Sequence, residues 1–248
     1  MSIDPRDKFR LLLSESRNAI IFTGAGISTE SGIPDFRSPN GVWTQNKPIP
    51  FQEFIASDEV RRETWRRKFK VDDTMKDAKP NEGHIAVANM VARGQAKKII
   101  TQNIDGLHQA SGVPENRIIE LHGNTTYARC LKCQKRHELS RIREAFDRDE
   151  TLPICQICGG IVKAATISFG QPMPKREMQE ARSETIACDL FITIGSSLVV
   201  FPAAALLPLA KKNGAKLVIL NREETDFDGL ADLAIHSEIG SFLSELRA

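Results

Sequence analysis

The stretch Ile20–Arg37, IIFTGAGISTESGIPDFR, constrains this chain more than any other. It opens on an apolar, β-leaning run, Ala19-Ile20-Ile21-Phe22, which reads as a buried strand. Gly24-Ala25-Gly26 follows at once, and Ser28 and Thr29 then begin a short helical span. Glycines let backbone come close to a ligand, and the N–H groups of an opening helix attract phosphate. A strand, a glycine turn and a helix in this order point to a dinucleotide site in an open α/β sheet. The spacing is not GxGxxG: Thr29 stands where the third glycine would be, and the next comes at Gly32. That late glycine argues against a hydride-transferring dehydrogenase.

At 248 residues the chain has room for one large domain carrying insertions. A hydrophobic content of 41% and a charged content of 27% are ordinary for a soluble globular protein. The net charge of +2 gives no argument for a polyanion-binding surface, so nucleic acid is not expected as a partner. Residues Leu190–Ala210 carry no charge, but Gly195, Ser196, Ser197, Pro202 and Pro208 break the run. Strand, loop and helix is the better reading, and no membrane partner is expected. The opening MSIDPRDKFR has no apolar signal-peptide core, and a cytoplasmic location is the expectation.

Further elements follow in order. Residues 4–16 suit a helix capped by Asp4, with Phe9, Leu12 and Leu13 on one face. Residues 38–50 are loop-like, and 51–70 read as two short helices with Trp65 and Phe69 on one face. The basic residues Arg61, Arg62, Arg66, Arg67, Lys68 and Lys70 then line the other faces, most simply as a solvated surface. A helix runs from PNEGH to about Ala92. Strands follow at 98–101 and 118–121, and later at 190–194, 216–220 and 231–235. Gln102, Asn103, Ile104 and Asp105 leave the carboxyl end of one strand, and His122 leaves another. In open α/β sheets ligands sit at that edge.

Four of the five cysteines form two CxxC pairs, Cys130/Cys133 and Cys155/Cys158. Such paired knuckles supply four thiolates to a tetrahedral zinc, whose closed coordination leaves no place for substrate. The zinc is therefore expected to be structural. His137 is surplus, and Cys188 reads as a small core residue.

GAGISTESGIPDFRS, the tryptophan of Gly41-Val42-Trp43, TQNIDGLH, the His122-Gly123 pair, the Phe169-Gly170 pair and GSSLVVFP stand in the order found in one family. The chain resembles the sirtuins, the NAD-dependent protein deacylases, over nearly its whole length. The resemblance implies a doubly wound parallel sheet, a Rossmann-like NAD domain, over 1–37, 80–125 and 170–248. A helical insertion with a cofactor loop (38–79) and a zinc ribbon (126–169) would form a small lobe. NAD would be a co-substrate held by Gly24, Ala25, Gly26, Asp35, Phe36, Arg37, Gln102, Asn103, Ile104, Asp105, Gly195, Ser196, Ser197, Asn221, Arg222 and Ile239. His122, as general base, and Asn103 would be catalytic; Ile167, Phe169, Gly170 and Val199 would meet an acyl-lysine protein or peptide. Nicotinamide would be product and inhibitor. The GlySerSer loop is expected to open a helix, and Ile239-Gly240 to lie in a loop.

The sequence departs from the family where Ala164 and Ala165 replace a frequent proline or arginine, and Gln171 replaces glutamate. An NAD hydrolase, a mono-ADP-ribosyltransferase and a non-catalytic NAD-sensing module are the alternatives. Lys68 and Val71 stand where desuccinylating relatives carry Tyr-x-x-Arg, so an uncharged acyl group such as acetyl is expected.

Overall fold

Asp4 accepts from Arg6 N–H at 2.7 Å and caps α1 (Pro5–Glu15), where Pro5 opens the helix without losing a needed donor. The computed structural model describes residues 3–35 and 47–247. The further helices are α2 (Phe51–Ala56), α3 (Asp58–Met75), α4 (Glu82–Ala92), α5 (Leu107–Ala110), α6 (Leu139–Asp149), α7 (Lys175–Ala187), α8 (Leu206–Lys212) and α9 (Ile239–Ser244). The strands are β1 (Ala19–Thr23), β2 (Lys98–Thr101), β3 (Ile118–Glu120), β4 (Gly123–Cys130), β5 (Arg136–Glu138), β6 (Val162–Thr166), β7 (Leu190–Ile194), β8 (Lys216–Asn221) and β9 (Leu233–His236).

Six strands form a parallel sheet in the order β3-β2-β1-β7-β8-β9. β1 is buried along its whole length, which its unbroken apolar run requires of a strand covered on both faces. Its side chains alternate. Ala19 and Ile21 join Phe9 of α1, Val87 and Met90 of α4 and Leu243 of α9 in one core. Ile20 and Phe22 join Ala181 of α7 and Leu206, Leu207 and Ala210 of α8 in the other. The strand order reverses between β1 and β7, and that is where such sheets open a crevice.

A second, antiparallel sheet, β5-β4-β6, is covered by α3 and α6. Trp65 stacks on Phe69 at 5.4 Å between centroids, and both pack with Ile142 and Phe146 of α6 and Val162 of β6. The basic faces of α3 are largely neutralised: Arg61 pairs with Asp58, Arg66 with Glu150, Arg67 with Glu63 and Lys68 with Asp72.

Two local expectations change. Gly195–Val200 does not open a helix; helical structure begins at Ala203, after the cis Phe201-Pro202 peptide. Leu198, with φ 58°, turns the chain within that loop instead. Ile239 lies in no loop but is the first residue of α9, and its side chain is in the core. β6 ends at Thr166, and Phe169-Gly170 then form a turn with Gly170 at φ 76°. Among the described residues no helix is long and apolar enough to cross a membrane.

Candidate functional site

The loops leaving β1 and β7 meet backbone to backbone at the switch point. Gly24 N donates to Ile194 O at 3.1 Å, and Gly26 N donates to Gly195 O at 2.8 Å. A Cβ at Gly24 would come 2.7 Å from Gly195 O, and one at Gly195 only 2.3 Å from Ile27 N. Either approach is closer than any side chain allows, so these positions must be glycine. Ala25–Ser31 then form a 3₁₀ helix closed by Gly32.

Residues leaving β2 complete the floor. Gln102 Nε2 donates to Ser196 Oγ at 2.9 Å, tying this loop to the one after β7. Asn103 is buried, and its Nδ2 donates to Gly24 O at 3.1 Å and to Ser28 Oγ at 3.2 Å. Asp105 accepts from Ser28 Oγ at 2.7 Å through one oxygen and from Leu107 N at 2.9 Å through the other. The Ile104 carbonyl accepts from Thr125 N at 2.8 Å. A cavity of about 370 Å³ lies beside this loop, lined by Ile33, Asp105, Leu107, Thr125, Thr126 and Arg143 among others.

His122 lies two residues beyond the end of β3. Its Nδ1 lies 3.0 Å from the Gln102 carbonyl, an acceptor only, so Nδ1 carries the proton and the neutral ring keeps its lone pair on Nε2. Two residues upstream, Glu120 accepts from Gln109 Nε2 at 2.7 Å and Asn124 Nδ2 at 2.6 Å, and burial raises its pKa. The His122 carbonyl accepts from Ile167 N at 2.9 Å, which lays the end of β6 beside the histidine. Phe169 and Val199 are about half exposed.

The remaining expected residues lie farther along the edge. Asn221 ends β8 and donates to Glu223 O at 2.7 Å. Arg222 pairs with Glu223 at 2.8 Å, and this bond raises its pKa, with Glu238 and Asp35 adding to the field. Gly240 N, next to Ile239, donates to Glu30 Oε1 at 2.8 Å. Phe36, Arg37 and Trp43 lie outside the described residues.

Sequence reasoning passed over a buried polar network beneath this floor. His84 and His108 are fully buried with rings 5.2 Å apart. His84 Nδ1 lies 3.1 Å from Asn81 Oδ1, and His108 Nε2 lies 2.9 Å from Thr23 Oγ1. Burial holds their pKa values down, to about 4 and about 3. Both histidines stand in the quoted motifs PNEGH and TQNIDGLH, and that placement was the available signal.

At the far end of the small sheet the four expected cysteine sulfurs lie within 4.8 Å of one another. Cys130 and Cys158 Sγ are 3.4 Å apart, and Cys133 and Cys155 Sγ 3.6 Å. A disulfide needs about 2.05 Å, whereas four zinc–sulfur bonds of about 2.3 Å set sulfurs about 3.8 Å apart. The donor set therefore fits a zinc ion. The Cys133 backbone N–H helps to hold the Cys130 thiol down at about 6.

A parallel sheet with a glycine-lined crevice at its switch point, and an inserted tetrathiolate module, define a dinucleotide-binding α/β protein. The Sir2 family model matches residues 24–202, and the chain belongs to the Sir2 family. NAD-dependent protein deacetylase 1 of Bradyrhizobium diazoefficiens is 54% identical, over 94% of this chain and 91% of its own. The NAD-dependent protein deacetylase of Rhodopseudomonas palustris is 55% identical, over 94% and 92%. A solved Sir2–p53 peptide–NAD+ complex matches with a TM-score of 0.86 at 35% identity, over 99% of this chain and 97% of that one.

Proposed function

We propose that this protein is an NAD-dependent protein-lysine deacetylase, which transfers the acyl group from lysine to ADP-ribose and releases nicotinamide. The observation that carries the reading is His122: its Nδ1 is committed to the Gln102 carbonyl, and Ile167 is bonded to its own carbonyl. A basic nitrogen and a peptide-binding strand end thus share one edge of the crevice.

NAD, when bound, supplies an anomeric ribose carbon that the acyl oxygen can attack as nicotinamide leaves. Gly24, Ala25, Gly26, Gly195, Ser196 and Ser197 cradle the dinucleotide at the switch point, and Asn221, Arg222 and the backbone near Ile239 border its adenosine end. Asn103, Ile104 and Asp105 form the nicotinamide pocket, in which the engaged Asp105 carboxylate is rigid rather than free to rotate. Asp35, Phe36 and Arg37 belong to the cofactor loop. His122 Nε2 takes the proton from a ribose hydroxyl. Ile167, Phe169, Gly170 and Val199 bind the acyl-lysine chain, largely through main-chain pairing.

Lys68 bears on the acyl group. Its ammonium is spent on Asp72 and its pKa is lowered by burial, so it offers little to an acidic acyl chain. Acetyl is therefore preferred over succinyl. Cys130, Cys133, Cys155 and Cys158 hold a structural zinc, and such thiolates suit a reducing compartment such as the cytoplasm. The division into an NAD domain (1–37, 80–125 and 170–248), a helical insertion (38–79) and a zinc ribbon (126–169) follows the same reading.

The test is nicotinamide release from NAD with no peptide, with acetyl-lysine peptide and with succinyl-lysine peptide. Release that requires the acetyl peptide is expected. Fast release that neither peptide changes would replace this reading with an NAD hydrolase, and a succinyl preference would overturn the acyl assignment alone.

A further inference from the structure

β6 is an outer strand of the small sheet and pairs, among the described strands, with β4; on its other edge Val162 N donates to Pro153 O at 3.4 Å. Ile167 N and the Ala165 carbonyl face β4, the first bonded to His122 O and the second crowding Gly123. Carbonyls alternate along a strand, so those of Ala164 and Thr166 point to the other, outer edge. Lys163 folds back over that edge. Its Nζ donates to Ala164 O at 3.3 Å and to Thr166 O at 2.6 Å, and stands 5.9 Å from the centroid of the Phe54 ring on α2.

This is a costly place for a cation. Lys163 is 3% exposed, no carboxylate of the described residues pairs with it, and burial pulls its pKa down to about 8. Protecting a strand edge does not require it, since a lysine pointing into water serves that purpose. A buried ammonium held only by carbonyls and a ring face is tolerated where a backbone must be fixed. The backbone in question runs straight into Ile167–Gly170. That segment is gripped again by α2 at its far end, where Phe51 N donates to Phe169 O at 2.8 Å. The two alanines at 164 and 165 give the chain no stiffness of their own.

We propose that Lys163 is a positioning residue for the acyl-lysine peptide, clamping the outer edge of β6 onto α2 so that Ile167–Gly170 is presented in one fixed geometry. The proposal rests on the reading of the chain as a peptide deacetylase. It assigns Lys163 no contact with reacting atoms.

Steady-state kinetics on the full chain, varying peptide and NAD separately, test it. Wild-type release that ignores the peptide would defeat the underlying reading, and it is measured before any variant. Given peptide-dependent release, Lys163→Met should raise peptide KM about tenfold, the worth of hydrogen bonds from one charged donor, with kcat and the NAD KM within about twofold. Lys163→Arg should return peptide KM to within about threefold of wild type, because a guanidinium can span both carbonyls. A peptide KM unmoved in Lys163→Met overturns the proposal, as does a parallel rise in both KM values. Should Lys163→Met not fold, Phe54→Leu, which removes the ring but keeps an apolar side chain, must give the same split at about threefold. Its absence there overturns the proposal equally.

Discussion

The two sheets are held together in different ways. The parallel sheet is covered on both faces by separate apolar cores, and its crevice is built from loops beyond the strand ends. Stability and site are therefore separable there. In the small sheet, Cys130 and Cys155 are buried members of the core that contains Trp65, Phe69 and Phe146, and they are also half of the proposed metal site. Core and metal site are one structure. What holds the large sheet is separate from its crevice, whereas the core of the small one runs directly into its four sulfurs.

Removing the metal tests this contrast most severely. Structural zinc is worth about 10–16 kcal/mol in small zinc peptides, so chelation or Cys155→Ser should melt the small sheet and abolish activity. The parallel sheet should survive with a separate, higher thermal transition. A chelated protein that keeps a single transition and full activity would break the comparison.

His122→Ala should do the opposite, lowering turnover by about 10²–10⁴ while the melting temperature and NAD affinity hold, since it removes only a proton acceptor. Turnover within about threefold of wild type would take His122 out of that role.

Acid should weaken the large sheet. Both buried histidines have native pKa values below the ordinary 6.5, at about 4 for His84 and about 3 for His108. Below pH 6.5 the unfolded chain binds protons that the native state refuses. Stability then falls by about 1.4 kcal/mol per pH unit for each histidine until the native values are reached. Denaturant midpoints between pH 7 and 5 should show this slope, and His84→Gln should reduce it. A flat profile would mean that the network is not neutral.

The smallest effect expected is that of Asp105→Asn. The new amide keeps its oxygen on the Leu107 N–H and turns its NH2 to Ser28 Oγ, so it reverses one hydrogen bond and removes the carboxylate's charge. Nicotinamide inhibition should weaken about tenfold, and ADP-ribose binding less. Equal losses would place Asp105 outside the nicotinamide pocket.

Much of this was legible in the residues. The apolar run before Gly24 fixes β1, and the two CxxC pairs announce a thiolate cluster, because both signals are local. The loop after Gly195 misleads, because a glycine and two serines before an apolar stretch suit a helix start. Leu198 at positive φ postpones the helix to Ala203, and no propensity reports that. Lys163 carries no such local signal. Its burial depends on Phe54, which lies far away in the chain. The histidine pair shows in the sequence only as two motif positions, and its burial and pairing come from the packing of α4 on α5.

The contact between the Gly24–Gly26 turn and Gly195 also bears on how this protein can be recombined. A crossover between two relatives usually spares function when the exchanged segments meet only through side chains, which can repack. Here the halves meet through main-chain atoms, with Gly26 N on Gly195 O and no room for a methyl group on either partner. The loops after β1 and β7 are thus a single heritable unit, although most of the chain separates them. A chimera with one parent's first loop and the other's seventh-strand loop should work only if the backbone paths agree at this seam, whatever the rest of the sequences share.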